Sequence, residues 1–360
     1  MLKIAIVGAT GIVGQQAIVS LLGHPWFKIA KLVASERSAG KKYIDALRDA
    51  NGSIRWWCPE ELPGHIANMV VEEAARFDPK SVDIIFSTMD AGPARDLEPK
   101  YAKTTPVIST ASAFRYEPDT PILVGGVNMD HAALLAVQQK NRGWKGFISP
   151  KSNCTIVGLV VSLKPILDNF GVKQVVATSL QAMSGAGRTP GLSAMDMTEN
   201  VVPYIPGEEP KVETEPLKIL GKLTGKIIVN AAFGITATCT RVPVLDGHMV
   251  CAFVQTKKKC SPEDVKKAMM NYGKDFAELH LPSSPAHLID VTDDPFRPQP
   301  RMDRDKGGGM TVTVGRIRKD PVIENGIKYV SLAHNTKIGA AKGALQTAEY
   351  LVKNYLKWVK

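Results

Sequence analysis

The chain has 360 residues, enough for two domains with a core each. Its 44% hydrophobic and 22% charged residues are those of an ordinary globular protein, which excludes disorder. A net charge of +10 comes from dispersed lysines and arginines; the densest run, Lys257-Lys258-Lys259, has no interleaved aromatics, so it reads as a solvated face suited to small anionic ligands rather than to nucleic acid.

No apolar run reaches the ~20 residues needed to span a bilayer, so no membrane segment is expected. The chain opens directly on Lys3-Ile4-Ala5-Ile6-Val7, a buried-strand pattern with no signal segment ahead of it. Cysteines 58, 154, 239, 251 and 260 are scattered, odd in number and without CxxC spacing. That argues against a disulfide framework or a metal site and fits a reducing, cytoplasmic setting.

Ile4 to Val7 is followed by Gly8-Ala9-Thr10-Gly11-Ile12-Val13-Gly14, then by a helical pattern that places Ile18, Leu21 and Leu22 on one face and stops at His24-Pro25. A second strand, Ile29 to Ala34, completes a β–Gly-rich turn–α–β unit. Its glycines let backbone N–H groups approach a pyrophosphate at a helix N-terminus. The spacing is GxxGxxG rather than GxGxxG, and a purely structural turn is the alternative. Past the second strand, Glu36 alone would suit the ribose hydroxyl of NAD. Ser35, Arg37, Ser38, Lys41 and Lys42 around it favour a 2′-phosphate, and hence NADP.

Residues 45–80 carry little pattern, and Trp56-Trp57-Cys58-Pro59 reads as irregular. Strands are expected at Val82–Ser87 and Pro106–Ser109, with a helix from Ala91 to Lys103 between them, continuing a parallel, doubly wound sheet. The following loop carries Arg115, whose planar fork suits phosphate or carboxylate, although a surface arginine is the plainer reading. A helix is expected over 128–145, ending at Gly143.

Lys151-Ser152-Asn153-Cys154-Thr155 joins an extended run, Gly146 to Ser149, to an apolar helical run, Thr155 to Leu163. The Cys154 sulfur would then sit at a helix N-terminus, where a thiolate is favoured. The plainer alternative is a small buried hydrophobe.

Beyond it the chain turns to β-branched alternation at Val172–Ala182, Ile227–Thr240 and Met249–Thr256. Amphipathic stretches lie at Leu192–Val202 and Glu213–Leu223, and a helix capped by Ser261 and Asp264 at Pro262–Tyr272. Arg297–Met310 reads as a basic loop, followed by strands at Thr311–Ile317 and Lys328–Ala333 and a helix from Ile338 to about Lys357. The expected architecture is an α/β Rossmann-like nucleotide domain plus an α+β domain with a large mixed sheet. The small-residue face Gly339-Ala340-Ala341-Gly343-Ala344 suggests a discontinuous first domain, 1–152 with 336–360, and a second at 153–335.

In this second part Gln181 ends a strand just before Ser184-Gly185-Ala186-Gly187. Glu215 and Lys218 are three apart on one helix face. Arg241 and His248 are seven apart, but Pro243 and the Asp246-Gly247 turn break the strand, so both can point into one cleft.

The Gly-rich opening turn, Ser-Asn-Cys-Thr before a helix, Gln before Ser-Gly-Ala-Gly, and Arg-x₆-His together resemble aspartate-β-semialdehyde dehydrogenases. The resemblance covers essentially the whole chain and is nearest the archaeal and fungal branch. It implies NADPH-dependent reductive dephosphorylation of L-aspartyl 4-phosphate to L-aspartate 4-semialdehyde, a step toward lysine, threonine and methionine. It implies a nucleophile at Cys154, an orienting Gln181 and a general acid/base at His248. Arg241 would hold the substrate carboxylate, Arg115, Lys218 and Asn153 the phosphate, and Glu215 the amino end. Gly8, Thr10, Gly11, Ile12, Val13, Ser35, Arg37, Ser38, Ser184, Gly185, Asn335 and Thr336 would contact NADP. It also implies a homodimer or homotetramer through the second domain's sheet. Gly126, where the family often has Glu, and Arg188, where the near branch tends to an aromatic, depart from the pattern.

Two other readings compete: a malonyl-CoA reductase of the same fold, against which Asn153 speaks, and a non-catalytic NADP-binding sensor, against which the full Cys154, Gln181, Arg241 and His248 set speaks.

Overall fold

The computed structural model describes residues 1–187 and 192–355, so Arg188 lies outside the described residues, as does the expected end of the last helix. The chain divides into two units. One comprises Met1–Pro121, Ala132–Lys151 and the chain from Ala344 onward; the other comprises Ile122–His131 and Ser152–Gly343. Against the expected 1–152 with 336–360 and 153–335, the second unit also takes 122–131, Ser152 and 336–343. Ile122, Val124 and Val127 belong to the second unit's core, as does Ile338.

In the first unit, strands β1 (Leu2–Val7), β2 (Phe27–Ala34), β3 (Val71–Glu73), β4 (Ile84–Ser87), β5 (Val107–Ser109) and β6 (Ile148–Pro150) form one sheet, in the order β3-β2-β1-β4-β5-β6. Every pair is parallel. β1, β4, β5 and β6 are largely buried on both faces, as helical crossovers require. Helices α1 (Ile12–Leu21), α2 (Ala91–Ala102) and α3 (Leu134–Arg142) belong to this unit, and α3 stops at Gly143, whose φ of 65° is left-handed. Strand order reverses at β1, so the crevice beyond its carboxyl end is where this architecture binds ligands. The unpatterned region around 45–80 yields only short helical turns and β3, which pairs with just the last three residues of β2. In the C-terminal helix, Ala341–Asn354, Glu349 bonds the His24 ring at 2.9 Å, both groups buried.

In the second unit, β7 (Val172–Gln181), β10 (Gly234–Arg241), β11 (His248–Thr256), β12 (Ile289–Thr292), β13 (Val312–Lys319) and β14 (Gly326–Ala333) form a mixed sheet, ordered β10-β7-β11-β14-β13-β12. Helix α4 (Cys154–Phe170) is apolar nearly all round and runs through the core; a Cβ on its Gly158 would lie 3.1 Å from Ala333 Cβ, so glycine there eases the close approach of helix and β14. Helices α5 (Glu208–Ile219) and α6 (Pro262–Met270) complete the layer, and Ser261 and Asp264 close the expected capping box on α6.

Four expectations change here. The Ile227–Thr240 run is two pieces, because Gly225, at φ +62°, helps fold a separate hairpin of β8 (Lys222–Thr224) and β9 (Ile227–Val229) ahead of β10. The stretch Leu192–Val202 is helical only over Ala194–Met197, and Val202 instead exchanges backbone bonds with Arg241, of 3.0 and 2.8 Å. Helix α5 starts at Glu208, five residues earlier than expected, behind the left-handed Gly207. The Arg297–Met310 loop contains two helical turns, and Arg297 pairs there with Asp303. At Gly126 φ is +73°, which strains any L side chain, and a Cβ would lie 2.6 Å from the end of Leu288.

Candidate active site

Sheet register assembles the site. β10 runs parallel to β7 with Arg241 opposite Gln181, so both strands finish level. β11 lies antiparallel on the other side of β7, so its first residue, His248, stands at that same end. Gln181, Ala182, Arg241 and His248 therefore share one edge of the sheet. Helix α4 delivers Cys154 to it. Asn153 caps that helix, its Oδ1 accepting from Thr155 N at 2.9 Å, and this makes Cys154 the first helical residue.

The Cys154 Sγ lies 3.3 Å from His248 Nε2. The other ring nitrogen, Nδ1, accepts from the Ala182 amide at 3.0 Å. A backbone N–H can only donate, so Nδ1 is unprotonated and the neutral ring carries its hydrogen on Nε2, facing the sulfur. Burial, then the charge of Arg241 and of His334, pushes the His248 imidazolium down to about 3. The ring is thus a neutral donor to sulfur. The positive charge near the sulfur is Arg241, whose Nη1 donates to Ala182 O at 2.8 Å. Burial lowers the guanidinium, and the charges of Cys154 and Glu208 offset part of that loss. A Cβ on Gly185 would lie 2.9 Å from Arg241 Nη1 and 3.0 Å from His248 Nε2, so both side chains do reach one cleft.

Helix α5 contributes two carboxylates two turns apart, hence on one face. Glu208 accepts from Asn153 Nδ2, at 3.1 and 2.9 Å to its two oxygens, and from Gln181 Nε2 at 3.3 Å. Burial alone would raise its carboxyl, but Lys211 at 2.8 Å, then Asn153 and Gln181, hold it below the usual carboxylate range. Glu215, expected at the amino end of a substrate, is buried and accepts from the Asn153 backbone N at 2.9 Å; that carboxylate oxygen orients the chain ahead of Cys154. Lys218 lies half-buried one turn further along α5. Glu208 escaped the sequence reading because a Gly-Glu-Glu-Pro run resembles an exposed acidic helix start. The signal available was its seven-residue spacing to Glu215.

Ser184 and Asn335, both expected at a cofactor, are engaged within the protein. Asn335 Oδ1 accepts from Gly247 N at 2.8 Å, Asn335 Nδ2 donates to Ser184 Oγ at 2.7 Å, and Ser184 Oγ donates to Asp246 at 2.7 Å. This chain fixes the turn that precedes His248. Thr336 is buried, its Oγ1 3.3 Å from His334 Nδ1.

In the first unit the Gly-rich turn closes as the spacing implies. Gly8 has φ +86° and a Cβ there would meet Thr88 O at 2.8 Å, while one on Gly14 would meet Gly8 O at 2.3 Å. Gly11 is the N-cap of α1, exposed and with no capping side chain, so the first-turn amides next to Thr10, Ile12 and Val13 stay available to an anion. The Tyr43 hydroxyl donates to Ala9 O at 2.7 Å and braces the turn. Ser35 and Arg37 are exposed and Ser38 half-buried, in a short turn just past β2. These features fit a dinucleotide with a 2′-phosphate. Arg115, in contrast, is no surface arginine: it is buried, with Nε donating to Lys151 O at 2.8 Å and Nη2 to Thr110 O at 3.0 Å.

Comparison with known proteins agrees with this geometry. A family model for the semialdehyde dehydrogenase NAD-binding domain matches residues 3–135, and one for the semialdehyde dehydrogenase dimerisation domain matches residues 163–338. Aspartate-semialdehyde dehydrogenase of Archaeoglobus fulgidus is 46% identical over 98% of this chain and 98% of its own length. That of Candida albicans is 41% identical over 97% of each. A crystal structure of aspartate-semialdehyde dehydrogenase with NADP from Candida albicans superposes with a TM-score of 0.87 at 40% identity, covering 98% of this chain and 99% of that one. Among the described residues no helix is long and apolar enough to cross a membrane.

Proposed function

Because the chain belongs to the aspartate-semialdehyde dehydrogenase family, we propose that it reduces L-aspartyl 4-phosphate to L-aspartate 4-semialdehyde, with NADPH as reductant and Cys154 as the acyl carrier. One observation carries the assignment of the nucleophile: a sulfur at a helix N-terminus, 3.3 Å from an imidazole nitrogen that bears hydrogen.

The helix terminus and Arg241 favour the thiolate, which attacks the acyl carbon of the substrate. The C–S bond forms as phosphate leaves, giving a thioester that accepts reduction far more readily than a carboxylate. When bound, NADPH supplies the hydride. The tetrahedral carbon then expels the sulfur, and the aldehyde departs. His248 Nε2–H stabilises negative charge first on sulfur and then on the neighbouring oxygen. Arg241, anchored through Nη1, offers its remaining N–H groups to the substrate carboxylate. Gln181 orients the acyl group; Asn153, Lys218 and Arg115 serve the phosphate.

The α1 N-terminus at Gly8, Thr10, Gly11, Ile12 and Val13 would hold the pyrophosphate, and Ser35, Arg37 and Ser38 the 2′-phosphate. Ser184, Gly185, Asn335 and Thr336 are assigned to the nicotinamide end. The working form is a homodimer or homotetramer built through the second unit's sheet, where Val176 of β7 is 42% exposed, in a reducing cytoplasmic compartment.

The test is NADPH formation from aspartate semialdehyde and NADP, with and without phosphate. Phosphate-dependent turnover that Cys154→Ala abolishes is expected. Turnover that survives Cys154→Ala, or faster turnover of malonyl-CoA, overturns the assignment.

A further inference from the structure

We propose that Glu208 is a positioning residue for acyl transfer: its single buried carboxylate sets the orientation of both amides, Asn153 and Gln181, that flank Cys154. This inference rests on the reaction assigned above. The donors are asymmetric. Asn153 Oδ1 is taken by Thr155 N, so its Nδ2 must find an acceptor, and it finds both oxygens of Glu208. Gln181 Nε2 is drawn to Glu208 Oε2 and to Ser179 Oγ, each at 3.3 Å, which turns the Gln181 carbonyl oxygen the other way. Only an acceptor with two oxygens and no hydrogen serves these amides together with Lys211 Nζ, and an ionised carboxylate is that acceptor.

Helix α5 places Glu208 for this work. Gly207, left-handed at φ +71°, starts the helix, and Glu208 is its first residue; Glu215, two turns on, holds the Asn153 backbone amide. The residue ahead of the nucleophile is thus gripped at main chain and side chain by one helix. Glu208→Gln keeps shape and size but substitutes an NH₂ for one acceptor oxygen, leaving a single oxygen for three donors. One or both amides must then turn or lose a partner, and displacements of this size at a reacting centre cost about 10²-fold in rate.

The experiment compares Glu208→Gln with Lys211→Arg, which keeps a cation beside the carboxylate, and so its ionisation, and leaves both amide bonds in place. Steady-state kinetics with aspartate semialdehyde, phosphate and NADP are measured beside the rate of Cys154 alkylation by iodoacetamide. For Glu208→Gln, kcat should fall about 10²-fold with KM values and alkylation changed by no more than about threefold. Lys211→Arg should keep kcat within about threefold. On a Gln181→Ala background the Glu208→Gln loss should shrink, because the two act through a shared bond. Equal losses in Glu208→Gln and Lys211→Arg, a full additive loss on the Gln181→Ala background, or an unchanged kcat in Glu208→Gln each overturns the proposal. If Cys154→Ala keeps phosphate-dependent turnover, the reaction assignment fails instead. Should Glu208→Gln not fold, Glu208→Asp is read in the same assays: it keeps the charge but shortens the reach, and the same fall in kcat is expected, an unchanged kcat overturning the role.

Discussion

Gly185→Ala isolates the geometry of the cleft, because it adds one methyl group and nothing else. The backbone at Gly185 is not left-handed, so alanine brings no conformational strain. The new Cβ would lie 2.9 Å from Arg241 Nη1 and 3.0 Å from both Cε1 and Nε2 of His248. Comfortable contacts start near ~3.5 Å, so each neighbour must retreat by roughly half an ångström. Arg241 can do so only by stretching its 2.8 Å bond to Ala182 O, and His248 by lengthening its 3.0 Å bond from Ala182 N or its 3.3 Å contact with Sγ. The native fold tolerates that, since the end of an arginine is flexible; the chemistry does not. The expected loss is about 10²-fold in kcat/KM, or about 3 kcal/mol of transition-state stabilisation. A displaced His248 appears in kcat and a displaced Arg241 in KM. Steady-state NADPH formation and a thermal melt measure both sides. A variant within about threefold of wild-type kcat/KM would show that the cleft is looser than these distances say.

His248→Asn should lower kcat by about 10²-fold, through loss of the donor to sulfur and oxyanion. Because burial and Arg241 push the imidazolium down to about 3, wild-type kcat/KM should show no histidine limb between about pH 5 and 8; a limb near the ordinary histidine value of ~6.5 that vanishes in His248→Asn refutes the neutral-donor assignment. Glu98, buried on α2 with Ser109 Oγ donating to it at 2.6 Å, has its carboxyl raised by burial from 4.5 to about 7. A raised carboxyl stabilises the fold fully below the unfolded value, and that stability is lost as pH rises through the folded one. Relative to Glu98→Gln, the wild type should therefore lose about 3 kcal/mol of unfolding free energy between pH 4.5 and about 8, read from denaturation midpoints. A pH-independent difference between the two refutes it.

The nucleotide-binding unit was legible because each of its long elements carries its own period: buried apolar strands, α1 behind a Gly-rich turn, α2 and α3 between strands. What escaped was local structure that depends on distant partners. β3 is three residues of Val-Glu-Glu and exists only because the end of β2 offers it a ladder. Val202 ends an amphipathic stretch, Leu192–Val202, yet its main chain is bonded to Arg241, thirty-nine positions away. The hairpin of β8 and β9 straddles two other patterns, the end of the Glu213–Leu223 amphipathic stretch and the start of the Ile227–Thr240 β-branched run, and its mark is Gly225 between them. Glycine, which permits many conformations, does not say which one is used.

The candidate site shows the same division between residue type and connection. Cys154, Gln181, Arg241 and His248 were visible as reactive types near breaks in periodicity, and the level ends of β7 and β10 bring them together. The direction of each proton was not visible. Two bonds made by the main chain of one residue, the Ala182 N–H to His248 Nδ1 and the Ala182 carbonyl from Arg241 Nη1, decide it. An imidazole charged beside the sulfur would have to turn a second N–H against the Ala182 amide, in a place that already holds a guanidinium. The thiolate must then take its counter-charge from Arg241 and the end of α4, and His248 is left to donate a hydrogen bond. No side chain encodes that outcome, because the groups that impose it are the two peptide units on either side of the Ala182 Cα.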